Sequence, residues 1–301
     1  MQKLKTYSAI SIAMLCWSFS FIWTRQAIES FNPVTLVMFR LVIATALLFA
    51  VSWLSGRLQK IRKQDMKWFF LLAFFEPFLY YMGETYGLTM VESTLASVII
   101  ATIPLFAPIL AFFLLREKIS IASIIGILVS LSGVFIVIYN PKGGFTANPV
   151  GIMLLFLAVF SAVLYTTILR KISTHYHTIN VILYQSLIGL VYFIPTFLVV
   201  DLSDFSFHRI TMHGIYALFM LSVFASVIAF VLFAGVVRKI GVARTNVFVN
   251  LIPVFTAVLA WWLLDEQLSV SKVTGISITI AGLFVSQLSK FKFKMLRGPE
   301  Y

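Results

Sequence analysis

Long apolar runs are the feature of this chain that most limits its fold. An α-helix needs roughly 20 apolar residues to cross a hydrocarbon core of about 30 Å. Charged residues make up only 11% of the 301 residues, too few to cover a water-facing surface. The runs are continuous and do not alternate with a period of two, so membrane helices are predicted rather than a barrel. Ten such runs cover residues 7–29, 34–55, 68–88, 93–115, 119–139, 149–170, 178–200, 213–237, 242–264 and 270–289.

The basic residues predict how these spans are oriented. The formal charge of +12 comes from clusters between the apolar runs, which indicates the positive-inside rule and excludes a nucleic-acid partner. The three outer cations are Lys142, Arg209 and Lys272. Both termini are therefore predicted to be cytoplasmic, and no cleaved signal peptide is expected. With this orientation, 18 of the 23 basic residues are cytoplasmic, namely Lys3, Lys5, Arg57, Lys60, Arg62, Lys63, Lys67, Arg116, Lys118, Arg170, Lys171, Arg238, Lys239, Arg244, Lys290, Lys292, Lys294 and Arg297.

The chain also contains an internal repeat. An offset of 149 aligns residues 98–135 with 247–284, and 14 of these 38 positions are identical. The same offset pairs the third run with the eighth, and an offset of 145 pairs Arg25 with Arg170 and Arg40 with Gln185.

We therefore predict two five-helix repeats, residues 1–140 and 149–290, followed by a basic cytoplasmic tail at 291–301. Five is odd, so the second repeat enters the membrane from the opposite side. Such inverted repeats are typical of transporters that bind substrate near the midplane and alternate between two conformations. The alternative is a gene duplication that only doubled a structural scaffold, without an exchange of conformations between the repeats.

Four motifs resemble one known family. The tract Trp17-Ser18-Phe19-Ser20-Phe21 with Arg25, and Pro33 followed by Arg40, are similar to the first two helices of EamA-type repeats. A fourth-helix signature occurs once in each half, as Pro104-x-Phe106…Glu117 and Pro253-x-Phe255…Glu266. These repeats belong to the drug/metabolite transporter superfamily, and the resemblance spans about 7–290. It implies a multi-pass protein of the cell (inner) membrane that carries small metabolites, often outward, without nucleotide hydrolysis.

Two departures separate the chain from the family pattern. Ser18 and Ser20 replace the common Gly and Asn, and Ala162 stands where the second half would have its Trp. The resemblance places these positions at the substrate cavity, so substrate identity does not carry over.

The third run carries two carboxylates inside the membrane, where ionisable groups are costly and are candidates for function. Glu76, Tyr80 and Glu84 are spaced i, i+4 and i+8, which predicts one shared helix face. Glu76 lies roughly 13 Å in from the cytoplasmic side. It is predicted to bind substrate or a proton, or alternatively to hydrogen-bond a neighbouring helix.

Arg40 lies at a depth similar to that of Glu84, roughly 10 Å from the outside. One interpretation is a structural ion pair between Arg40 and Glu84 that fixes the second helix to the third. The other is that Arg40 or Glu84 faces the cavity and holds a charged group of the substrate.

The repeat predicts a second group of site residues. Ser97, Ala101 and Pro104 align with Asn246, Asn250 and Pro253. A membrane-buried Asn amide needs partners, so these amides either join helices or line a wet cavity. The prolines free a backbone carbonyl and kink their helices, which predicts hinges for gating or, alternatively, static kinks. Five aromatic residues are candidates for stacking on the substrate or for lipid and packing contacts, namely Trp17, Tyr80, Tyr81, Tyr165 and Trp261.

The sequence thus favours a secondary active transporter of a small amino acid-like or other organic solute, with export as the expected direction. The predicted partners are the solute and the lipid bilayer, and the predicted state is a monomer. No cofactor or metal site is expected, although coupling to protons is considered. An intramembrane enzyme acting on a lipid or small apolar substrate is the alternative, with Glu76 and Glu84 as its only candidate pair. A channel or a structural membrane protein ranks below both.

Overall fold

The computed structural model describes residues 2–106, 109–110, 119–140, 144–145, 147–172 and 175–296. This part of the chain is α-helical apart from a two-residue antiparallel ladder between Tyr139–Asn140 and Gly144–Phe145. The helices are α1 (Gln2–Ala27), α2 (Pro33–Leu54), α3 (Met66–Ala73), α4 (Tyr80–Met90), α5 (Ser93–Ile100), α6 (Ile121–Ile138), α7 (Pro149–Ile172), α8 (Thr178–Val200), α9 (Met212–Met220), α10 (Phe230–Ile240), α11 (Val242–Val249), α12 (Leu251–Leu263) and α13 (Val270–Leu296).

Two π-helical segments interrupt longer helical stretches. Phe74–Leu79 joins α3 to α4, and Leu221–Ala229 joins α9 to α10. Short 3-10 turns occur at Lys63–Asp65, Leu202–Asp204 and Phe207–Arg209.

The apolar helices confirm an all-α membrane protein. Six helical stretches are long and apolar enough to cross a bilayer, namely Leu4–Ala27, Pro33–Leu54, Ile121–Ile138, Pro149–Leu169, Thr178–Val200 and Met212–Ile240. Shorter apolar helices cover Ser93–Phe106, Val247–Leu263 and Val270–Ser286.

Helices α6 and α13 pack closely against each other, and small residues allow the close approach. A Cβ atom on Gly126 would lie 2.6 Å from the Gly282 carbonyl oxygen, and one on Gly133 would lie 2.6 Å from the Gly275 carbonyl oxygen. Only glycine permits backbones to touch at these distances. The two helices therefore cross at two glycine pairs, each formed by one residue from each half.

Helices α2 and α8 form a second antiparallel pair that is joined at both ends. At one end, Asp201 Oδ2 accepts hydrogen bonds from the backbone N–H and the hydroxyl of Thr35, both at 2.8 Å. At the other end, the Ser52 hydroxyl donates to Asn180 Oδ1 at 3.0 Å. Loop 264–269 shares the first end of the bundle, called here the Glu266 end, and loop 55–65 lies at the second, the Arg57 end.

The helices that carry the signature prolines are both broken three residues before the proline. Helix α5 ends at Ile100 and is followed by Ala101, while Asn250 separates α11 from α12. Ala101 and Asn250 have nearly identical backbone angles, with φ of −61° and −62°. A proline lacks the N–H that would bond the previous turn, so the break falls at the same place in both sequences.

Candidate functional site

The third span is broken at its central carboxylate, Glu76. Glu76 has φ −144° and ψ 117°, an extended conformation, and the Glu76–Pro77 peptide bond is cis. The residue before a proline avoids the helical region because the proline ring would clash with it. Pro77 thus explains why the helix does not run through Glu76.

This break corrects the predicted shared helix face. The i, i+4 contact holds between Tyr80 and Glu84, since the Tyr80 hydroxyl donates to Glu84 Oε1 at 3.0 Å. Glu76 does not continue that face as a regular helical residue. Both carboxylates are buried, with 6% of Glu76 and 5% of Glu84 exposed.

Arg40 is equally buried and lies among neutral groups. Its Nε donates to the Ser226 hydroxyl at 2.6 Å, and its guanidinium carbon lies 4.3 Å from the centre of the Tyr81 ring. The predicted ion pair between Arg40 and Glu84 is wrong. Within the described ranges the only ion pair joins Lys272 to Glu92.

The buried charges nevertheless lie close enough to interact. Arg40 interacts electrostatically with both Glu76 and Glu84, and the two carboxylates repel each other. Glu76 accepts no hydrogen bond from any residue that the structure describes. One guanidinium and two carboxylates therefore share a buried region without forming a direct ion pair, an arrangement that is costly unless a further polar group joins it.

The second half of the chain contributes to the same region. Tyr165 is buried, donates its hydroxyl to Gln185 Oε1 at 3.1 Å and interacts electrostatically with Glu76. Ser226, which holds Arg40, lies in the π-helical segment Leu221–Ala229. The candidate site is thus built from both halves.

The other predicted residues of the first half are tied to their own helix or to packing. Trp17 packs its ring against Phe230 and Phe233 of α10, with centroid distances of 5.3 and 4.9 Å. Ser20 donates to the Trp17 carbonyl at 2.7 Å, and Ser97 donates to the Thr94 carbonyl at 2.7 Å. Neither hydroxyl bonds across to the charged cluster.

Asn250 behaves differently. It is 2% exposed, and neither atom of its side-chain amide has a hydrogen-bond partner in the structure. An unpaired buried amide costs about 1–3 kcal/mol, which makes Asn250 a place where a ligand group or a water molecule is needed. The side chain of Asn246 lies outside the described residues.

The fourth-helix signature has a structural explanation at Glu266. Its carboxylate accepts hydrogen bonds from the Ser93 N–H at 2.7 Å, from the Thr94 N–H at 3.2 Å and from the Thr94 hydroxyl at 2.7 Å. A carboxylate at the first turn of a helix satisfies free N–H groups and complements the helix dipole. Glu266 of the second half therefore caps α5 of the first half. The equivalent Glu117 lies outside the described residues.

Tyr81, a predicted candidate for stacking, lies in the site against Arg40. Two contributors to the site were not predicted as members of it. Ser226 has no signal in the sequence, whereas Gln185 could have been found, because an offset of 145 aligns it with Arg40.

Comparison with known proteins gives relatives that span nearly the whole chain. An uncharacterized transporter of Archaeoglobus fulgidus is 25% identical over 282 residues, covering 94% of this chain and 98% of its own. The uncharacterized transporter YetK of Bacillus subtilis is 27% identical over 253 residues, covering 83% and 76%. An uncharacterized transporter of Acidianus ambivalens is 30% identical over 211 residues, covering 68% and 78%.

A solved crystal structure shares the fold, with a TM-score of 0.70 at 17% sequence identity over 95% of this chain and 99% of the other. The EamA-like transporter family matches the chain twice, over residues 4–139 and 149–288. The resemblance inferred from the motifs is confirmed. The chain is a multi-pass membrane protein and belongs to the EamA-like transporter family.

Proposed function

We propose that this protein is a secondary active transporter that exports a small zwitterionic solute, amino acid-like in its charges, by alternating access. The observation that carries the proposal is the buried cluster of Arg40, Glu76 and Glu84, which both halves enclose and in which no direct ion pair forms. A solute bearing a carboxylate and an ammonium group supplies the counter-charges that the cluster lacks.

The proposed binding mode follows from the polar groups of the cluster that form no hydrogen bond within the described part of the protein. Arg40 uses Nε on Ser226, which leaves the two terminal nitrogens of its guanidinium to bind a carboxylate in a bidentate fashion. Glu76 and Glu84 then receive the ammonium group. The rings of Tyr80 and Tyr81 lie beside these charges and form an apolar wall for the rest of the solute.

Contacts between the halves support an arrangement of inverted repeats. Shifting the pair Gly126–Gly282 by 149 residues gives Gly275–Gly133, which is the other glycine pair of the same crossing. A contact set that maps onto itself when the halves are exchanged is what a two-fold axis in the membrane plane produces.

The same repeat supports ten spans with both termini in the cytoplasm. Six long and three shorter apolar helices account for nine spans, and the broken stretch from Met66 to Met90 supplies the remaining one. The Arg57 end, which carries most of the basic loops, is then the cytoplasmic end.

We assign the closing of the outer gate to the Glu266 end. Glu266 caps α5, and Lys272 pairs with Glu92 beside it, so α5 of one repeat is tied to the loop that joins the last two spans of the other. Release of these contacts, with bending at the breaks before Pro104 and Pro253, would open a path from the site to the outside. Glu76 couples this cycle to protons, because its carboxylate is the buried one without a hydrogen-bond donor.

Counterflow in liposomes tests the proposal. Purified protein is reconstituted with unlabelled amino acids inside, and uptake of the labelled compound is followed. A carrier shows uptake that is stimulated by the trans solute, whereas an enzyme or a channel shows none. Absence of trans-stimulation for every zwitterion in the panel would overturn the proposed substrate class.

Arg40→Lys sharpens the experiment. Lysine keeps the positive charge but loses the planar fork and the Nε bond to Ser226, so the half-saturation concentration is expected to rise about tenfold. Arg25→Lys is the matched control, because Arg25 donates to the Leu88 carbonyl at the end of α4 and lies outside the cluster. Equal effects of both substitutions would remove Arg40 from substrate binding.

A further inference from the structure

An apolar groove lies between α2 and α8 on the lipid-facing surface of the protein. Its volume is about 490 Å³, and its walls include Val42 and Phe49 from α2 and Leu187 from α8. These three side chains are 45–49% exposed, so the groove opens to the surrounding lipid. Leu58, in the loop that follows α2, closes it at the Arg57 end.

The loop at the mouth of the groove is held in place by α8. Asn180 Nδ2 donates to the Arg57 carbonyl at 2.8 Å, and the Gln59 N–H donates to Asn180 Oδ1 at 3.2 Å. The Tyr184 hydroxyl, on the groove wall, donates to the Gln59 carbonyl at 2.6 Å. These bonds use backbone atoms, so they fix the path of the loop and leave its charged side chains free.

Those side chains form a dense positive patch. Arg57, Lys60, Arg62 and Lys63 lie within seven residues and all are exposed. None of them joins an ion pair, since the described residues contain only the pair Lys272–Glu92. Burial, with help from the cations Arg57 and Arg238, lowers the pKa of the nearby His177, as expected where the potential is positive.

We propose that this groove binds one anionic glycerophospholipid, with an acyl chain against Phe49 and Leu187 and the phosphate at Arg57 and Lys60. The charge of the mouth selects the lipid. Clustered cations next to a membrane helix attract acidic headgroups, and a zwitterionic headgroup would bring its own cation into the patch. A bound lipid would contact α2 of the first half and α8 of the second, and so strengthen the pairing of these two helices.

Native mass spectrometry of the full-length protein tests this site without any knowledge of the transported solute. The protein is released from detergent with phosphatidylglycerol or phosphatidylcholine of identical palmitoyl-oleoyl chains, and the retained lipid is counted. One phosphatidylglycerol is expected to remain bound under conditions that remove phosphatidylcholine. Equal retention of both lipids would overturn the proposal.

Three variants locate the site. Arg57→Gln with Lys60→Gln removes the headgroup cations but keeps the backbone bonds of the loop, and retention should fall about tenfold. Ala46→Trp fills the groove and should also displace the lipid. Lys5→Gln with Lys239→Gln, two exposed cations of α1 and α10, should leave retention unchanged.

Each result has a defined consequence. If the control pair loses as much lipid as the loop pair, attraction is diffuse and the proposal fails. It also fails if phosphatidylglycerol is retained after both the loop and the groove substitutions. Melting curves in phosphatidylcholine-containing detergent identify any variant that is merely unfolded, and Ala46→Phe then replaces Ala46→Trp as the smaller groove-filling change.

Discussion

At the scale of single residues, the site holds charge without neutralising it. The Arg40 guanidinium is bound by a hydroxyl and an aromatic ring, and no residue in the described ranges donates a hydrogen bond to Glu76. Removing the charge of Arg40, the one cation of the cluster, usually costs several kcal/mol because the two buried carboxylates lose their counter-charge. Such a cluster is retained for what it binds, and protons and solute are the two candidates.

The first prediction separates these candidates at Glu76. Glu76→Gln preserves the shape and the hydrogen-bonding capacity of the side chain but cannot release a proton. We expect the variant to fold normally and to lose transport, or to transport without its pH dependence. Transport in vesicles at several pH values, measured beside melting curves, shows which occurs.

Glu29→Gln, an exposed carboxylate of the loop before α2, is the control for this substitution. It should reproduce the wild-type pH profile. A wild-type rate and pH profile in Glu76→Gln itself would exclude this residue from the mechanism.

The membership of the site could be predicted only in part from the sequence. Glu76, Glu84 and Arg40 stand out because charges are rare inside apolar runs. Ser226 does not, because serine is common in such runs. This residue joins the site only because the fold places it against Arg40 of the other half. The direct ion pair failed for the same reason, since equal depth in the membrane does not fix which neighbour a long side chain meets.

At the scale of helices, two carboxylates of the second half cap helices of the first. Asp201 caps α2, within the antiparallel α2–α8 pair, and Glu266 caps α5, whose helix is broken one turn before its proline. The first bond has a counterpart at the opposite end of its helix pair, as expected of a fixed scaffold. The second belongs to a helix for which we propose bending at the break before Pro104.

The second prediction contrasts these two caps. Loss of either should lower stability by about 1 kcal/mol, the usual value of a helix cap. Only Glu266→Ala should open the Glu266 end. The reporter is Ser97→Cys in a Cys16→Ser background, which removes the single native cysteine. Opening would then appear as faster labelling of residue 97 by a water-soluble maleimide. Asp201→Ala should destabilise the protein and leave that labelling slow.

Equal labelling in the two variants would show that neither cap acts as a gate. Slow labelling in Glu266→Ala, together with a lowered melting temperature, would show that Glu266 only caps α5 and does not act in gating.

The third prediction concerns the prolines. Pro104→Ala and Pro253→Ala restore the missing N–H and should straighten the breaks at Ala101 and Asn250. Transport should slow, while the half-saturation concentration stays within a few-fold of wild type, because the prolines permit bending and do not contact solute. Stopped-flow uptake checks both values, and normal rates in both variants would mean that the kinks are static.

Element boundaries could be predicted well, and interruptions only in part, because the breaks before Pro104 and Pro253 were predicted and the two π-helical segments were not. Continuous hydropathy locates where a span begins and ends, as at α2 and α8. The segment Leu221–Ala229 contains no proline, and it packs against α1 and α2 of the other half. The sequence of this segment alone does not predict that contact.

At the scale of the whole molecule, the two ends of the bundle differ in charge and in contacts. The Arg57 end carries the dense basic loop, and the Glu266 end carries the cross-repeat caps. The repeat pairing was visible in the sequence because glycines and prolines recur at one offset. Which helices touch across the repeats was not, because those contacts join residues that are far apart in the chain, as in Gly126–Gly282.

The last prediction tests the orientation of these ends. In a Cys16→Ser background, Phe145→Cys should react with a membrane-impermeant maleimide added to intact cells, and Arg62→Cys should react only after the membrane is opened. The reason is the uneven distribution of cations, since 18 basic residues fall on the side of Arg62 and three in the loops of the opposite side. Phe207→Cys, at a 77% exposed position next to Arg209, gives a second outer reporter. The reverse pattern would place both termini outside and would reverse the proposed direction of transport. Labelling of all three sites from both sides would mean that the protein inserts in two orientations.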